Sequence, residues 1–306
     1  MIEGDMLRII VPGSTANLGP GFDSVGLALG KYLTLEVKKA DKLLFLPMTE
    51  HVKDLPTNED NLIAKVAIQV AETYNKPLPP CEVKVWSDIP MARGIGSSAA
   101  AIIAGIELAN QLCQLQMSDE EKLRIASLEE GHPDNVGASL YGGLVIGLHQ
   151  AEKTDLVCIK DIDVDTVVVI PKYEVFTSDA RNVLPQELSY KNAVEASAIS
   201  NMLVAGLLTN NWNLVGEMMV KDLFHQPYRG KLIPEIQAVQ EKIQHLGAYG
   251  SALSGAGPTV ICFTARGKGN DLAQTLAKDF VNCNVESLEI DVVGCRVEQV
   301  QEIKSL

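Results

Sequence analysis

The chain is poor in aromatic side chains, with six Phe, seven Tyr and two Trp among 306 residues. Its core must therefore be built mainly from Ala, Val, Leu and Ile, and at 46% hydrophobic content there is enough of these for one large domain or two ordinary ones. Cysteine is sparse and scattered: positions 81, 113, 158, 262, 283 and 295 contain no C-x-x-C pair, which argues against a zinc site and for reduced, mostly buried thiols. Positive charge is scarce too. With 26 Lys and Arg against 39 Asp and Glu, the formal net charge is −13, so nucleic acid and anionic membranes are poor partners. Any phosphorylated ligand must then be met by local devices such as helix dipoles, backbone N–H groups, a metal ion and a few arginines. No long apolar run exists. The most hydrophobic stretch, Ala99 to Leu115, is interrupted by Glu107, Asn110 and Gln111 and is too short and polar to cross a bilayer. The opening Met-Ile-Glu-Gly-Asp-Met has no basic segment leading into an apolar one, so no signal peptide is expected. No repeat or low-complexity linker is present. These features predict a soluble cytoplasmic protein.

The most informative stretch is residues 90–100, Pro-Met-Ala-Arg-Gly-Ile-Gly-Ser-Ser-Ala-Ala, between an extended segment (Val83 to Trp86) and a helix starting near Ser97. Glycines there allow a sharp turn and a close approach to main-chain N–H groups, and Ser97 and Ser98 offer caps and hydroxyls. A helix N-terminus leaves N–H groups unpaired and carries partial positive charge, which suits a phosphate. A capped glycine turn with no ligand fits the spacing equally well. A Walker A loop does not, because no lysine lies between Lys84 and Lys122. Gly94-Ile-Gly96-Ser-Ser-Ala99 matches a dinucleotide fingerprint on paper. That fingerprint needs a parallel strand after the helix, and here a second helix follows directly from Ser118. An oxidoreductase is a distant alternative.

Along the chain, strands are expected at Leu7–Val11 (ended by Pro12-Gly13), Tyr32–Lys38, Val83–Trp86, Leu144–Leu148, Thr166–Ile170, Thr259–Phe263, Val285–Glu289 and Gly294–Val300. Helices are expected at Asn61–Tyr74, from Ser97 to about Gln114, from the capping box Ser118-Asp-Glu-Glu121 to Gly131, and at Asn270–Asp279. From about Val194 the pattern turns helical, through Leu208, Leu214–Phe224 and Ile233–Leu246. A boundary falls between about residues 150 and 165, and the mixture of elements indicates α+β architecture.

Three glycine-rich motifs occur in a definite order: Pro12-Gly-Ser-Thr-Ala-Asn17-Leu-Gly-Pro-Gly-Phe-Asp23, the 90–100 segment, and Ser254-Gly-Ala-Gly-Pro-Thr259. Together they resemble the GHMP family of small-molecule kinases, over nearly the whole chain. The first motif, His132-Pro-Asp134-Asn135 followed by Gly142-Gly143, Thr177-Ser-Asp-Ala-Arg181 and Pro227-Tyr-Arg229 resemble the homoserine kinase branch of that family. Singly, each piece reads more readily as a turn, a cap or surface charge.

The resemblance implies an α+β fold with an N-terminal ATP-binding domain of sheet and helices (residues 1–160), a C-terminal α/β sandwich (161–306) and an active site between them. It implies transfer of the γ-phosphoryl of ATP to the side-chain hydroxyl of L-homoserine, on the route to threonine. By resemblance, Pro90, Met91, Ala92, Arg93, Gly94, Ile95, Gly96, Ser97, Ser98, Ala99 and Ala100 form the ATP segment. Mg²⁺ would be held by Ser97 or Ser98 with Glu130, although Glu129 competes for that place. Arg181 and Arg229 would fork the substrate carboxylate. Asn17, Asp23, Asp134 and Thr177 complete the substrate set, Asp23 having a second reading as an Asx turn. Asn135, Asp134 and His132 are the catalytic candidates. Asn135 would orient the hydroxyl, Asp134 would bind the ammonium or act as base, and His132 would touch substrate or anchor its loop. The third motif is expected to pack against the phosphate site. Alternatives are another GHMP kinase acting on mevalonate or a related alcohol, and a GHMP-fold protein that binds nucleotide without turnover. A homodimer is a further expectation.

Overall fold

The computed structural model describes residues 5–301. The chain opens with two long antiparallel strands, β1 (Asp5–Asn17) and β2 (Gly21–Lys39), followed by a short β3 (Leu44–Pro47). Helix α1 (Leu62–Thr73) starts at Asn61, whose side chain accepts the Ile63 N–H, and turns Ile63, Val66, Ala67 and Val70 inward at helical spacing. Then come β4 (Cys81–Ser87), α2 (Ser97–Cys113), α3 (Asp119–Glu130), α4 (Asp134–Tyr141), β5 (Leu144–His149) and β6 (Thr154–Ile159). The Ser118/Glu121 capping box forms as expected, and α3 ends at Gly131. Glu107, the charge that interrupts apolar α2, pairs with Lys122 of α3 at 2.9 Å and accepts from Asn110 and Gln111, so its burial is compensated.

The second half runs β7 (Asp165–Pro171), α5 (Thr177–Asn182), α6 (Tyr190–Leu208), α7 (Trp212–Met219), α8 (Gln226–Arg229), α9 (Glu235–Ile243), β8 (Gly250–Leu253), β9 (Val260–Thr264), α10 (Gly269–Asp279), β10 (Cys283–Leu288) and β11 (Arg296–Gln301). Two sheets organise these elements. One has seven strands, with the path β11-β1-β2-β4-β3 and with β5 and β6 branching from β2; the other has four, in the order β10-β7-β9-β8. The chain passes from the first sheet to the second between β6 and β7. The 161–306 half is nonetheless not confined to the second sheet: β11 returns to pair with β1. As composition requires, the core is Val, Leu, Ile and Ala, with few rings among its fully buried side chains.

Two local expectations need correction. Pro12-Gly13 does not end the first strand, because β1 absorbs the proline at a register shift between Pro12 and Gly13 and continues to Asn17. Ser97 and Ser98 do not cap α2. Its N-cap is Gly96 at φ +67°, with no side-chain cap bond. A Cβ at Gly96 would also run into Ser14, so this turn requires glycine.

Candidate active site

A cavity of about 400 Å³ lies where the glycine-rich segments converge. At one end are apolar walls from Val52, Leu55, Leu62, Ile63, Ile89 and Ala101; Met91, Ala92, Gly94, Gly96, Ser97 and Ser98 lie beside them. Because no serine caps α2, helix geometry leaves the N–H groups of Ser97, Ser98 and Ala99 without an acceptor inside the helix. Such a terminus, open to a cavity, suits an anion. The rest of residues 90–100 play a different part. Ile95, Ala99 and Ala100 are buried in the core, so only their backbone is available to a nucleotide. Pro90 precedes the turn outside the cavity lining. Arg93 turns away from the cavity: its guanidinium bonds Met91 O, Lys172 O and Glu174, tying the loop to the segment after β7.

At the other end, charged side chains gather from distant positions. Ser98 Oγ donates to Glu130 Oε2 at 3.1 Å. Burial pushes the Glu130 carboxyl upward, against the pull of His132 and of the Ser98 bond. Glu129 is exposed and does not line the cavity. His132 Nδ1 meets Asp134 Oδ1 at 2.5 Å, and the Asn135 N–H donates to the same oxygen at 2.6 Å. Burial lowers the His132 pKa, but the charge and hydrogen bond of Asp134, with Asp23 and Glu130 behind it, outweigh that and raise it to about 9. The imidazole is therefore protonated at neutral pH. Arg181 grips Asp23 with both nitrogens, at 2.9 and 3.1 Å.

Asp23, His132 and Asp134 each bring a ligand-capable atom within 4.8 Å of the others, yet two of the three are already paired with positive charge. Counted together, Asp23, Glu130 and Asp134 balance His132, Arg181 and Arg229. This neutral but strongly polarised surface matches a zwitterion, with carboxylates for an ammonium and guanidinium groups for a carboxylate.

Arg229 is 2% exposed. Its Nε donates to Ala180 O at 3.1 Å and its Nη1 to Gly255 O at 3.0 Å; among the described residues no carboxylate pairs with it. Burial, reinforced by Arg181, lowers its pKa to about 10. Asn17 is buried at φ +73° and committed to the scaffold: Nδ2 donates to Gly255 O and Oδ1 accepts the Asp23 N–H. The expectation that it partners an ammonium is thus limited to a remaining lone pair on Oδ1, because the amide braces two loops first. Thr177, the first residue of α5, lines the cavity and is exposed. The third motif packs as expected, with Ser254 Oγ bonding Gly94 O and Thr15 Oγ1 while the Gly255 N–H donates to Ala16 O.

Sequence reasoning passed over several residues. Ser14 is fully buried and donates to Asn135 Oδ1 at 2.9 Å, holding that amide in place. Phe22 lies within the quoted first motif and His225 just before Pro227-Tyr-Arg229. Their neighbourhood to recognised residues was the only signal available.

The family model described as the N-terminal domain of GHMP kinases matches residues 61–143, and that of their C-terminal domain matches 203–282. A homoserine kinase of Bacillus licheniformis is 60% identical over 300 residues, covering 98% of each chain. One from Bacillus pumilus is 57% identical over the full length of both. The crystal structure of homoserine kinase from Cytophaga hutchinsonii superposes with a TM-score of 0.85 at 29% identity, covering 97% of this chain and 98% of that one. A mevalonate kinase from L. major, at 17% identity and a TM-score of 0.69, shares the fold. With both family halves in order, and end-to-end likeness to such enzymes, the chain belongs to the GHMP kinase family.

Proposed function

We infer that the protein is a homoserine kinase, transferring the γ-phosphoryl of ATP to the side-chain hydroxyl of L-homoserine. The observation that carries this reading is the pairing, within one cavity, of an uncapped helix N-terminus with a charge-balanced surface suited to an amino acid. Relatives 50–60% identical over nearly their whole length are homoserine kinases, which supports the same reaction.

Phosphoryl transfer demands alignment and charge neutralisation more than covalent chemistry. The triphosphate is placed at the start of α2, with the base against the apolar walls. Ser98 and Glu130 would hold Mg²⁺: their donors are all oxygen and already adjacent, as a hard divalent cation requires. When bound, that ion supplies neutralisation of phosphate charge. Arg229, buried and with no carboxylate partner among the described residues, takes the substrate carboxylate together with Arg181. Asp23 and Asp134 face the ammonium. Asp134 is a poor candidate for base because one of its oxygens already accepts from both His132 and Asn135. Asn135, its carbonyl turned to Ser14, offers its NH₂ to the reacting hydroxyl and orients it; the proton passes to phosphate oxygen or water.

In this reading the elements of residues 1–160 form the ATP-binding unit, and most of 161–306 supplies the arginines and the third loop. Among the described residues no helix is long and apolar enough to cross a membrane, and all six cysteines are free, which supports work in the cytoplasm. Tyr190, Val194, Met202 and Leu208 are exposed along α6 and support a homodimer.

The test is ADP release from MgATP with L-homoserine beside mevalonate, galactose and L-serine. Selective turnover of L-homoserine is expected, and turnover of another alcohol in its place overturns the substrate assignment.

A further inference from the structure

The environment of the two arginines holds a feature that the phosphoryl-transfer scheme does not use. Both lie over the ring of Phe22. The Arg229 Cζ lies 5.1 Å and the Arg181 Cζ 5.8 Å from its ring centroid. The His225 imidazole stacks on the same ring, with centroids 5.2 Å apart and planes inclined by 18°. His225 is 0% exposed. Its Nε2 lies 3.0 Å from Gly19 O and 3.4 Å from Asp222 Oδ2, two acceptors that place the proton on that nitrogen. Nδ1 is left as an acceptor, 3.4 Å from Arg229 Nη1. Buried Asp222 accepts the N–H groups of Phe224, His225 and Gln226, which fixes the turn carrying His225 and Arg229.

Among the described residues Arg229 is thus held by neutral groups alone: two carbonyls, an imidazole nitrogen and an aromatic face. A carboxylate in any of those places would anchor the guanidinium but also quench it. An aromatic quadrupole attracts a cation, most strongly when desolvated, and leaves its hydrogen-bonding edge free. Resting on the assignment of the substrate carboxylate to Arg181 and Arg229, we propose that Phe22 and His225 are positioning residues. They form a neutral cradle that holds the Arg229 guanidinium unquenched on the cavity, beside the Asp23-paired Arg181, and makes the enzyme select acceptors bearing a carboxylate.

The proposal is tested with two acceptors, L-homoserine and 3-aminopropan-1-ol, which is homoserine without its carboxylate. In Phe22→Leu the KM for L-homoserine is expected to rise about tenfold, with kcat within about threefold and the KM for ATP unchanged. For 3-aminopropan-1-ol, kcat/KM changes by less than about twofold, since no carboxylate contact exists to lose. Phe22→Tyr, which keeps the aromatic face, returns the homoserine KM to within about threefold of the original. His225→Gln, which stays neutral but loses the stacked ring, shows a smaller rise with the same selectivity. An unchanged ATP KM in each variant reports an intact fold. Equal losses on both acceptors, or a Tyr variant as impaired as Leu, overturns the cradle while leaving the arginine assignment in place. If the original protein treats the two acceptors alike, the arginine assignment itself fails and the cradle with it.

Discussion

The nucleotide end and the acceptor end of one cavity are built on opposite plans. On the assignment proposed above, the nucleotide end is built around one turn, Gly94 to Ser98 at the start of α2, backed by apolar walls from Val52, Leu55, Leu62, Ile63, Ile89 and Ala101. The acceptor end is assembled from residues near 14–23, 130–135, 177–181, 225–229 and 255, working through charged side chains that hold one another in place. Backbone N–H groups exist in every protein, so a nucleotide site needs only the right turn. Recognition of a particular amino acid needs charges from several elements and scaffolding that stops them cancelling. Specificity therefore resides in the part that depends most on the complete fold.

The contrast is broken most sharply at Arg229. Arg229→Ala should lower kcat/KM for L-homoserine by about 10³ or more, since it removes a buried charge-assisted contact, while the KM for ATP stays within about threefold. Steady-state kinetics in both substrates measure this, and a matching loss of ATP affinity would erase the distinction between the ends. Next in size is Asn135→Ala, which should lower kcat by about 10² with little effect on nucleotide binding, as expected for a group that orients the reacting hydroxyl. Ser14→Ala should reproduce that change at about tenfold, because it frees the amide it now orients. Equal losses in turnover and ATP binding would reject the orienting role.

The smallest effect concerns stability. Burial, aided by Arg229 and opposed by Asp222, Asp23 and the bond to Gly19, depresses the His225 pKa to about 4. The unfolded chain takes up this proton near pH 6.5 and the folded chain does not, so stability is lost as pH falls from about 6.5 towards 4, by at most about 1.4 kcal/mol per pH unit. Urea unfolding at pH 7 and pH 5 should show a smaller difference in His225→Gln than in the original. An identical difference would mean that His225 is protonated in the folded state.

The same division governs what was legible in the sequence. Several local signals hold, among them the Ser118 capping box, the apolar face of α1 and the glycine turn before α2, although Gly96 and not Ser97 or Ser98 takes the N-cap there. The residues that gather at the acceptor end were named through long motifs, each weak alone. What the sequence withheld is non-local. Nothing in Arg296–Gln301 says that it pairs with β1, and nothing in Pro12-Gly13 says that a bulge will carry the strand through. Arg93 sits inside a phosphate-type loop yet reaches Lys172 and Glu174, a choice fixed only when the second half docks. Short elements such as β8 and α4 have too few residues to establish a period.

The most direct measurement is of the product. Incubated with MgATP and L-homoserine, the protein should yield one phosphomonoester per ADP, seen by phosphorus NMR and located on the side-chain oxygen by mass spectrometry. ADP accompanied by inorganic phosphate, or a phosphomonoester formed only from a different alcohol, would contradict the account.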